Sequence, residues 1–302
     1  MSDIAHKPFP SYIDMPSKIP KWFWNSFRAI TFAVMLGVAW LIAVSPETGL
    51  ALFWKVMIPL LPILFAVAPG IWRQICPMAL LNQIPRTLGF SKELTLPVNI
   101  KNIVYFISVL AFFFLVSLRH VYFNKDPAAL LILMGVALSL AFLGGLLFKG
   151  RSGWCGTFCP LAPIQKAYGH APIATVKNGY CPTCVGCQKN CYDFNPRAAF
   201  LSDLTDADPW YAGHKKFFVA GLPGLAFGFF TAADPVQVGL VSYYLYLAGW
   251  IITTLGIYMV AHIFWRVSDY RVAAVFAMSA LVVFYWFTSF GIVNTIADFF
   301  DM

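Results

Sequence analysis

The sequence predicts an all-α polytopic membrane protein that carries one sizeable segment outside the bilayer. Of its 302 residues, 60% are hydrophobic and only 11% are charged, whereas ordinary globular domains carry roughly 25% charged residues. The apolar residues are gathered into stretches long enough to cross a bilayer, and the basic residues fall in selected connections between those stretches. These observations argue against a soluble domain and indicate a multi-pass protein.

The apolar stretches predict about seven transmembrane helices, because a crossing helix needs about 20 mostly apolar residues. The seven stretches are 28–46, 50–69, 102–119, 128–148, 216–233, 238–264 and 271–296. The second contains Lys55, which we place near one end, where a long side chain reaches the headgroups. The fifth contains Gly221, Pro223 and Gly224, which predict a kinked or partly re-entrant helix.

The basic residues predict the orientation of the chain in the membrane. Eighteen Lys and Arg residues fall on one side, in the N-terminal segment, in the connections at 70–101 and 149–216, and after the sixth span. Only Arg119 and Lys125 fall on the other side. Because basic residues concentrate in cytoplasmic loops, we expect a bacterial inner-membrane protein with a cytoplasmic N-terminus and a periplasmic C-terminus. The formal charge of +8 then reflects topology and not a nucleic-acid partner.

This topology divides the chain into four parts. They are a cytoplasmic N-terminal segment at 1–27, transmembrane helices 1–4 at 28–148 with a cytoplasmic loop at 70–101, a cytoplasmic segment at 149–215, and transmembrane helices 5–7 at 216–302. All seven cysteines fall on the predicted cytoplasmic side. That compartment is reducing, so metal ligation is favoured over disulfide bonds.

Four of the cysteines form a C-x2-C-x2-C-x3-C run, made by Cys181, Cys184, Cys187 and Cys191. Bacterial ferredoxins use this spacing to wrap a short loop around a 4Fe–4S cluster. Zinc is the alternative metal, but zinc sites more often use two separated cysteine pairs. The run therefore predicts a small, ferredoxin-like iron–sulfur segment on the cytoplasmic side of the membrane.

A second signal is a repeated cysteine–proline pair. Cys76 and Cys159 each follow an apolar stretch closely, and each is followed by a proline that opens a short apolar segment. Proline suits the first position of a helix, so each cysteine is predicted at a helix N-cap, where the helix dipole favours a thiolate. The second copy adds Cys155, while the first copy has Trp72 at the matching position. The pattern predicts an internal duplication that supplies three further thiolates.

The seven cysteines could ligate iron–sulfur clusters in two arrangements, and the sequence does not decide between them. In the first, the four cysteines of the run hold a single cluster. In the second, the last cysteine of the run ligates another cluster, as it does in two-cluster ferredoxins. That other cluster would be held by Cys191, Cys76, Cys155 and Cys159. The cluster on the run would then need a non-cysteine ligand, such as water or a carboxylate, or would be a three-iron cluster.

The cysteine layout resembles the NapH/NosR-like family of membrane-bound 4Fe–4S polyferredoxins. The resemblance rests on the CxxxCP motif from Cys155 to Pro160 and on the ferredoxin run, and it covers roughly residues 50–200. It implies one or two 4Fe–4S clusters, electron transport with a quinol, and a redox partner protein or complex. Three features depart from the family pattern: Trp72 replaces a cysteine of the first CxxxCP, only one ferredoxin run is present where such proteins often have two, and Tyr192 replaces the proline that usually follows the run.

Two histidines and a group of basic residues are further candidates. His262 lies in the sixth predicted span, and an ionisable residue there is a functional candidate. We interpret it as a candidate proton acceptor at a quinone site, with a haem ligand or a hydrogen bond between helices as alternatives. His120, beside Arg119, is interpreted as an ordinary surface histidine. The basic residues near the cysteines either determine topology or dock an acidic partner. They are Lys149, Arg151, Lys166, Lys177 and Lys189.

These observations lead to one expected function and two alternatives. We expect a membrane-bound iron–sulfur protein that passes electrons between the quinol pool or a cytoplasmic donor and a partner redox enzyme. The first alternative is an assembly or maturation factor that uses a 4Fe–4S cluster to reduce a metal centre of a respiratory enzyme. The second is a structural membrane subunit with a zinc-stabilised loop.

Overall fold

The computed structural model describes residues 19–148, 154–155, 158–175, 192, 195–265 and 267–299. Within them the chain is helical, and β pairing is limited to an isolated bridge between Leu94 and Phe148. The elements are α1 (Lys21–Val44), α2 (Pro46–Ala51), π1 (Leu52–Met57, a π-helical turn), α3 (Ile58–Val67), α4 (Pro69–Ile75), α5 (Pro77–Thr87), α6 (Val98–Leu118), π2 (Arg119–Phe123, also π-helical), α7 (Pro127–Leu147), α8 (Ala162–Tyr168), α9 (Pro196–Leu204), α10 (Pro209–Thr231), α11 (Pro235–Val238), α12 (Leu240–Trp265) and α13 (Asp269–Phe299).

Proline and aspartate mark the starts of several helices. Proline lacks an N–H and has a nearly helical φ, so it fits the first turn, where an N–H would have no helical partner. Asp208 and Asp234 cap α10 and α11 by accepting hydrogen bonds from backbone N–H groups of the first turn. Helices α2, α4, α5, α10 and α11 begin at Pro46, Pro69, Pro77, Pro209 and Pro235.

Six helical stretches within the described residues are long and apolar enough to cross a membrane. They are Trp22–Val44, Pro46–Val67, Asn99–Phe123, Pro127–Leu147, Leu240–Phe264 and Asp269–Asn294. Each matches one of the predicted spans to within several residues at either end. The structure therefore confirms an all-α, multi-pass membrane protein.

The remaining predicted span, 216–233, lies within α10. This helix begins earlier than predicted, at Pro209, and it continues without interruption through Pro223. Its first half carries His214, Lys215 and Lys216, which lower its apolar content, and most of its length is buried by other helices. A helix surrounded by protein does not need the apolar surface that lipid demands. The predicted count of seven spans is not confirmed and stays a prediction.

The chain packs as two compact units, each considered by itself. The first unit comprises 1–37, 64–108 and 133–203, and it includes Cys76, Cys155 and Cys159. The second unit comprises 38–63, 109–132 and 204–302. In the second unit α10 packs against both α12 and α13, so α10 is the central helix of that unit.

Close packing of α10 on α12 depends on a glycine in a GxxxG pair. A Cβ atom added at Gly224 would lie 2.3 Å from the carbonyl oxygen of Trp250 and 2.5 Å from the Thr254 hydroxyl. Small residues allow helices in membranes to approach in this way. The predicted packing role of Gly224 and Gly228 is consistent with these contacts.

Replacing Gly224 by alanine is therefore expected to destabilise the second unit by about 1–3 kcal/mol, because α10 and α12 must separate. Thermal unfolding of the purified protein in detergent measures the change. Gly249→Ala is the matched control, since no atom lies within 4 Å of a Cβ built there. An equal unfolding temperature for both variants would contradict the packing argument.

Candidate functional site

The cysteine run lies outside the described residues. The predicted roles of Cys181, Cys184, Cys187 and Cys191 therefore stay predictions. The other three cysteines are described, and they are free thiols of the first unit. Cys159 is buried, while Cys76 and Cys155 are partly exposed.

The three described thiols lie close enough to influence one another electrostatically. Burial, and then the neighbouring Cys155, raise the pKa of Cys76 to about 12. Burial, and then Cys155 and Cys76, raise the pKa of Cys159 well above its usual value. Cys155 and Cys159 also share one apolar cluster with Trp154. The fold therefore brings the two Cys-Pro segments, which are distant in sequence, to one place.

Backbone amides near two of the thiols favour the thiolate form. The amides of Ala79 and Met78 lower the pKa of Cys76, and those of Leu161 and Ala162 lower the pKa of Cys159, in each case opposing the larger effect of burial. Free N–H groups at a helix start stabilise negative charge in this way. The local structure can thus support thiolates once a cation or a metal compensates for their burial.

The two Cys-Pro segments differ in how their helices begin. Cys76 is the N-cap of α5, as predicted, although its side chain makes no capping hydrogen bond. The prediction for Cys159 is wrong in position, because α8 begins only at Ala162. Cys159 instead lies in the preceding turn, where its carbonyl accepts the Ala162 N–H at 3.0 Å. Proline at position 163, and not at 160, occupies the first turn of that helix.

The three described thiols are suitable metal ligands by chemistry, but their arrangement does not form a metal site. Three thiols match the soft ligands of iron–sulfur and zinc sites. Among the described residues, however, no three or more His, Cys, Asp and Glu side chains are placed to hold a metal ion by themselves. Cys76, Cys155 and Cys159 are therefore near one another, but they are not arranged as a metal site within the described part of the chain.

A buried arginine lies beside Cys76. The Arg28 side chain is only 3% exposed, and its guanidinium donates to the Gln74 carbonyl and, at 2.7 Å, to Oε1 of Gln83. Thr31, one turn further along α1, donates to the Ile75 carbonyl at 2.6 Å. The Arg28 charge lowers the pKa of Cys76. Helix α1 thus holds a cation next to the segment that carries this thiol.

A second polar cluster holds the residue that follows the cysteine run. The Tyr192 hydroxyl donates to Oδ2 of Asp203 at 2.9 Å, and the Lys166 ammonium contacts the same oxygen at 3.2 Å. The Tyr192 carbonyl accepts from Nη2 of Arg73 at 3.5 Å, and Arg73 lies three residues before Cys76. Tyr192 is therefore held close to one of the Cys-Pro segments.

This cluster gives Lys166 a role that the sequence did not predict. Its ammonium pairs with the buried Asp203 and lies about equally far from the rings of Tyr105 and Tyr192, at 5.2 and 5.1 Å. Lys166 is therefore part of an internal ion pair, and we no longer count it among the basic residues that could dock an acidic partner. The other four basic residues of that set lie outside the described residues.

His262 lies in the last turns of α12, as predicted, but it is not enclosed between helices. Its side chain is 44% exposed, and its Nδ1 lies 3.1 Å from Oδ1 of Asp269. Oδ2 of Asp269 lies 2.7 Å from the Lys216 ammonium. The sequence indicated the histidine but neither of its charged neighbours.

His120 is not the surface histidine that the sequence suggested. Its ring stacks on Phe229 with 4.1 Å between ring centroids, and its Nδ1 is buried without a hydrogen-bond partner. The guanidinium of Arg119 lies 4.0 Å from the Trp54 ring and 5.0 Å from the Phe229 ring. The signal available in the sequence was an Arg-His pair at the end of an apolar span, where ionisable residues are uncommon.

A comparison of the chain with protein-family profiles, with curated proteins and with solved structures finds no match. The functional argument therefore depends on the residues of this chain.

Proposed function

We propose that this protein is a membrane-bound iron–sulfur protein that passes electrons between the quinol pool or a cytoplasmic donor and a partner redox enzyme. The observation that carries the proposal is the convergence of three thiols from two distant segments, together with the contact between Arg73, near Cys76, and Tyr192, the residue that follows a ferredoxin-type cysteine run in the sequence. A zinc-stabilised loop would need only one set of four ligands. Seven cysteines, four of them at ferredoxin spacing, favour iron–sulfur chemistry.

The described residues support a division of the seven cysteines between two groups. The run would hold one cluster, and Cys76, Cys155 and Cys159 would hold a second with one further ligand. Cys191 is the candidate for that ligand, because its neighbour Tyr192 is bonded to Arg73, close to Cys76. When bound, an iron–sulfur cluster accepts and releases one electron at a time.

The chain's own residues would shape that chemistry in two ways. The amides around Cys76 and Cys159, with the Arg28 cation, would stabilise negative charge on the thiolates. The apolar cluster around Cys159 and Trp154 would exclude water from them. Both factors set the potential of an iron–sulfur group. The proposed orientation, with seven spans and the cysteines at the cytoplasmic face of a bacterial inner membrane, follows the distribution of basic residues.

The proposal is tested by purifying the full chain without oxygen and measuring iron, acid-labile sulfide and zinc, together with EPR spectra before and after reduction. We expect a brown protein with iron and sulfide in equal amounts and EPR signals from one or two clusters. Zinc without sulfide would establish the structural alternative and end the proposal. Clusters that reduce a bound metal but exchange no electrons with a quinol or a soluble donor would establish the maturation factor.

Arg28 provides a specific prediction for the electrostatics of this site. Replacing Arg28 by methionine removes a buried charge and its hydrogen bonds to the Gln74 carbonyl and to Gln83. We expect the variant to lose about 1–3 kcal/mol of unfolding free energy, the usual cost of removing buried hydrogen bonds to a charged group. We also expect a lower reduction potential, because a nearby cation favours the reduced, more negative cluster.

Redox titration followed by EPR measures the potential of the Arg28 variant, and thermal unfolding measures its stability. Lys92→Met is the control, since it removes one positive charge from an exposed position of the same unit. A potential that shifts equally in both variants would show that Arg28 acts only through net charge.

A further inference from the structure

Two π-helical turns of the second unit are in contact. The first, π1, carries Trp54, whose indole N–H donates to the Phe123 carbonyl at 2.8 Å. The second, π2, runs from Arg119 to Phe123, and the Asn124 N–H donates to the Arg119 carbonyl at its end, at 2.9 Å. Such turns are rare and occur frequently at functional sites. The contact between π1 and π2 is therefore a place to look for a ligand.

The guanidinium of Arg119 lies against two aromatic rings and leaves most of its donors unused. Its central carbon is 4.0 Å from the Trp54 ring centroid and 5.0 Å from that of Phe229, which are cation–π distances. A guanidinium carries five N–H donors. Within the described part of the chain, only Nε makes a hydrogen bond, to Oδ1 of Asn124 at 3.3 Å. The side chain is partly exposed, so the N–H groups of Nη1 and Nη2 are available to a ligand.

Two carboxylates close to π2 are engaged by other partners. Asp234 caps α11, which packs against π2, and it pairs with the Lys125 ammonium at 2.7 Å. Asp126 accepts hydrogen bonds from backbone N–H groups in the first turn of α7. Among the described residues, no carboxylate pairs with Arg119. An arginine with rings at its face and no acid at its edge is suited to bind an oxyanion through two parallel N–H groups.

His120, the next residue, also has an unused polar atom. Its ring stacks on the same Phe229 ring, with 4.1 Å between ring centroids. Its Nδ1 is buried and has no hydrogen-bond partner in the described part of the chain. A buried polar atom without a partner is uncommon and requires an explanation, such as a group that the chain itself does not supply. Arg119 and His120 thus place unused polar atoms around one ring.

The position of Arg119 along its helix places its donors at the depth of lipid headgroups. Arg119 lies four residues before the end of the Asn99–Phe123 stretch, which is about 6 Å along a helix axis. Long basic side chains near the end of a span reach the interface. Exposed side chains nearby on π2, α11 and α12 are largely apolar, namely Tyr122, Val236 and Val241. At this depth the oxyanion that a bilayer supplies is the phosphate group of a phospholipid.

We propose that Arg119 binds the phosphate group of a phospholipid, in a site whose aromatic wall is formed by Trp54 and Phe229. Two N–H groups at the edge of the guanidinium donate to two phosphate oxygens, and the acyl chains lie on the exposed apolar side chains of the neighbouring helices. The inference goes beyond the proposed function and does not depend on it, because no cysteine takes part in this site.

The test measures binding of dihexanoyl phosphatidylglycerol, an anionic phospholipid with short acyl chains, to the full chain purified in a mild detergent. Native mass spectrometry counts the lipids bound to each chain as the lipid concentration is raised. We expect one tightly bound lipid per wild-type chain, and binding about tenfold weaker or more in Arg119→Met, which has no donor for the phosphate. Arg119→Lys keeps the charge but loses the paired N–H groups, so we expect its affinity to lie between the two.

Lys125→Met is the matched control, because it removes the same charge from a nearby exposed residue that already has a carboxylate partner. It should bind the lipid as the wild type does. Dihexanoylglycerol has the same acyl chains without the phosphate, and it should not distinguish Arg119→Met from the wild type. Equal affinity for phosphatidylglycerol in the wild type and Arg119→Met, or an equal loss in Arg119→Met and Lys125→Met, would overturn the inference.

Inorganic phosphate separates a lipid from a free anion as the ligand. Because it lacks acyl chains, we expect it to leave the bound lipid in place at equal concentration, and its displacement of the lipid would count against a lipid site. Thermal unfolding is a second readout, since a ligand of the folded state raises its stability. The lipid should raise the unfolding temperature of the wild type more than that of Arg119→Met. If Arg119→Met does not fold, Arg119→Lys decides, and wild-type affinity in that variant contradicts the inference.

Discussion

Replacing Cys159 by serine is expected to remove one iron–sulfur group and leave the other in place. Cys159 is buried in the apolar cluster with Trp154, and the neighbouring Cys155 and Cys76 add to the rise in its pKa that burial causes. Serine is a poor ligand for iron, so a second cluster should fail to assemble, at a cost of about four iron atoms per chain. Cys184→Ser should remove the other group, and the double variant should contain no iron.

Iron and sulfide analysis with an EPR spin count decides this prediction. Met78→Leu is the control, because Met78 packs against the same cluster but has no thiol. If Cys159→Ser keeps the full iron content, the three described thiols are not ligands, and the run alone holds a single cluster. If Cys184→Ser removes all iron, the second group depends on the first for its assembly.

The second large effect is expected when Lys166 is replaced by methionine. The Asp203 side chain is 2% exposed, and Lys166 is its charged partner, at 3.2 Å. Removing one partner of a buried ion pair costs about 3 kcal/mol. The Tyr192 hydroxyl remains bonded to Asp203 in the variant. We therefore expect a lower unfolding temperature and a less stable attachment of the residue that follows the cysteine run.

The molecule contains an ion pair of the same type that serves as the control. Lys125 pairs with Asp234 at 2.7 Å, but the two side chains are 48% and 39% exposed. Such surface pairs contribute less than about 1 kcal/mol, so Lys125→Met should unfold close to the wild-type temperature. The double variant Lys166→Met, Asp203→Leu should recover part of the lost stability. No recovery would show that Lys166 acts through packing on the tyrosine rings and not through its charge.

The sequence predicted one of the two helix starts at the site correctly. The proline after Cys76 placed that cysteine at a helix start, because proline fits the first helical turn. The same rule failed for Cys159, since the chain first makes a turn closed by the Ala162 N–H and the helix starts later. A local rule identifies the residues that can begin a helix. It does not decide between Pro160 and Pro163, which are three residues apart.

The polar partners were beyond prediction because they are distant in the chain. Arg28 reaches Gln74 across 46 residues, and Lys166 reaches Asp203 across 37. Nothing in the local sequence of either residue indicates such a partner. The same limit explains His120, which the sequence left at the surface and the fold stacks on Phe229.

The sequence by itself determined the all-α, multi-pass character of this protein. A helix that crosses lipid must be long and apolar, and both properties can be read from the sequence of each segment. It also determined which residues carry thiols and how they are spaced. Only the tertiary structure decided that Cys76, Cys155 and Cys159 lie together, that Arg28 accompanies them, and that Asp269 and Lys216 surround His262. The physical reason is that apolar burial is a property of each segment, whereas a charge or a ligand acquires its partners only when distant segments pack.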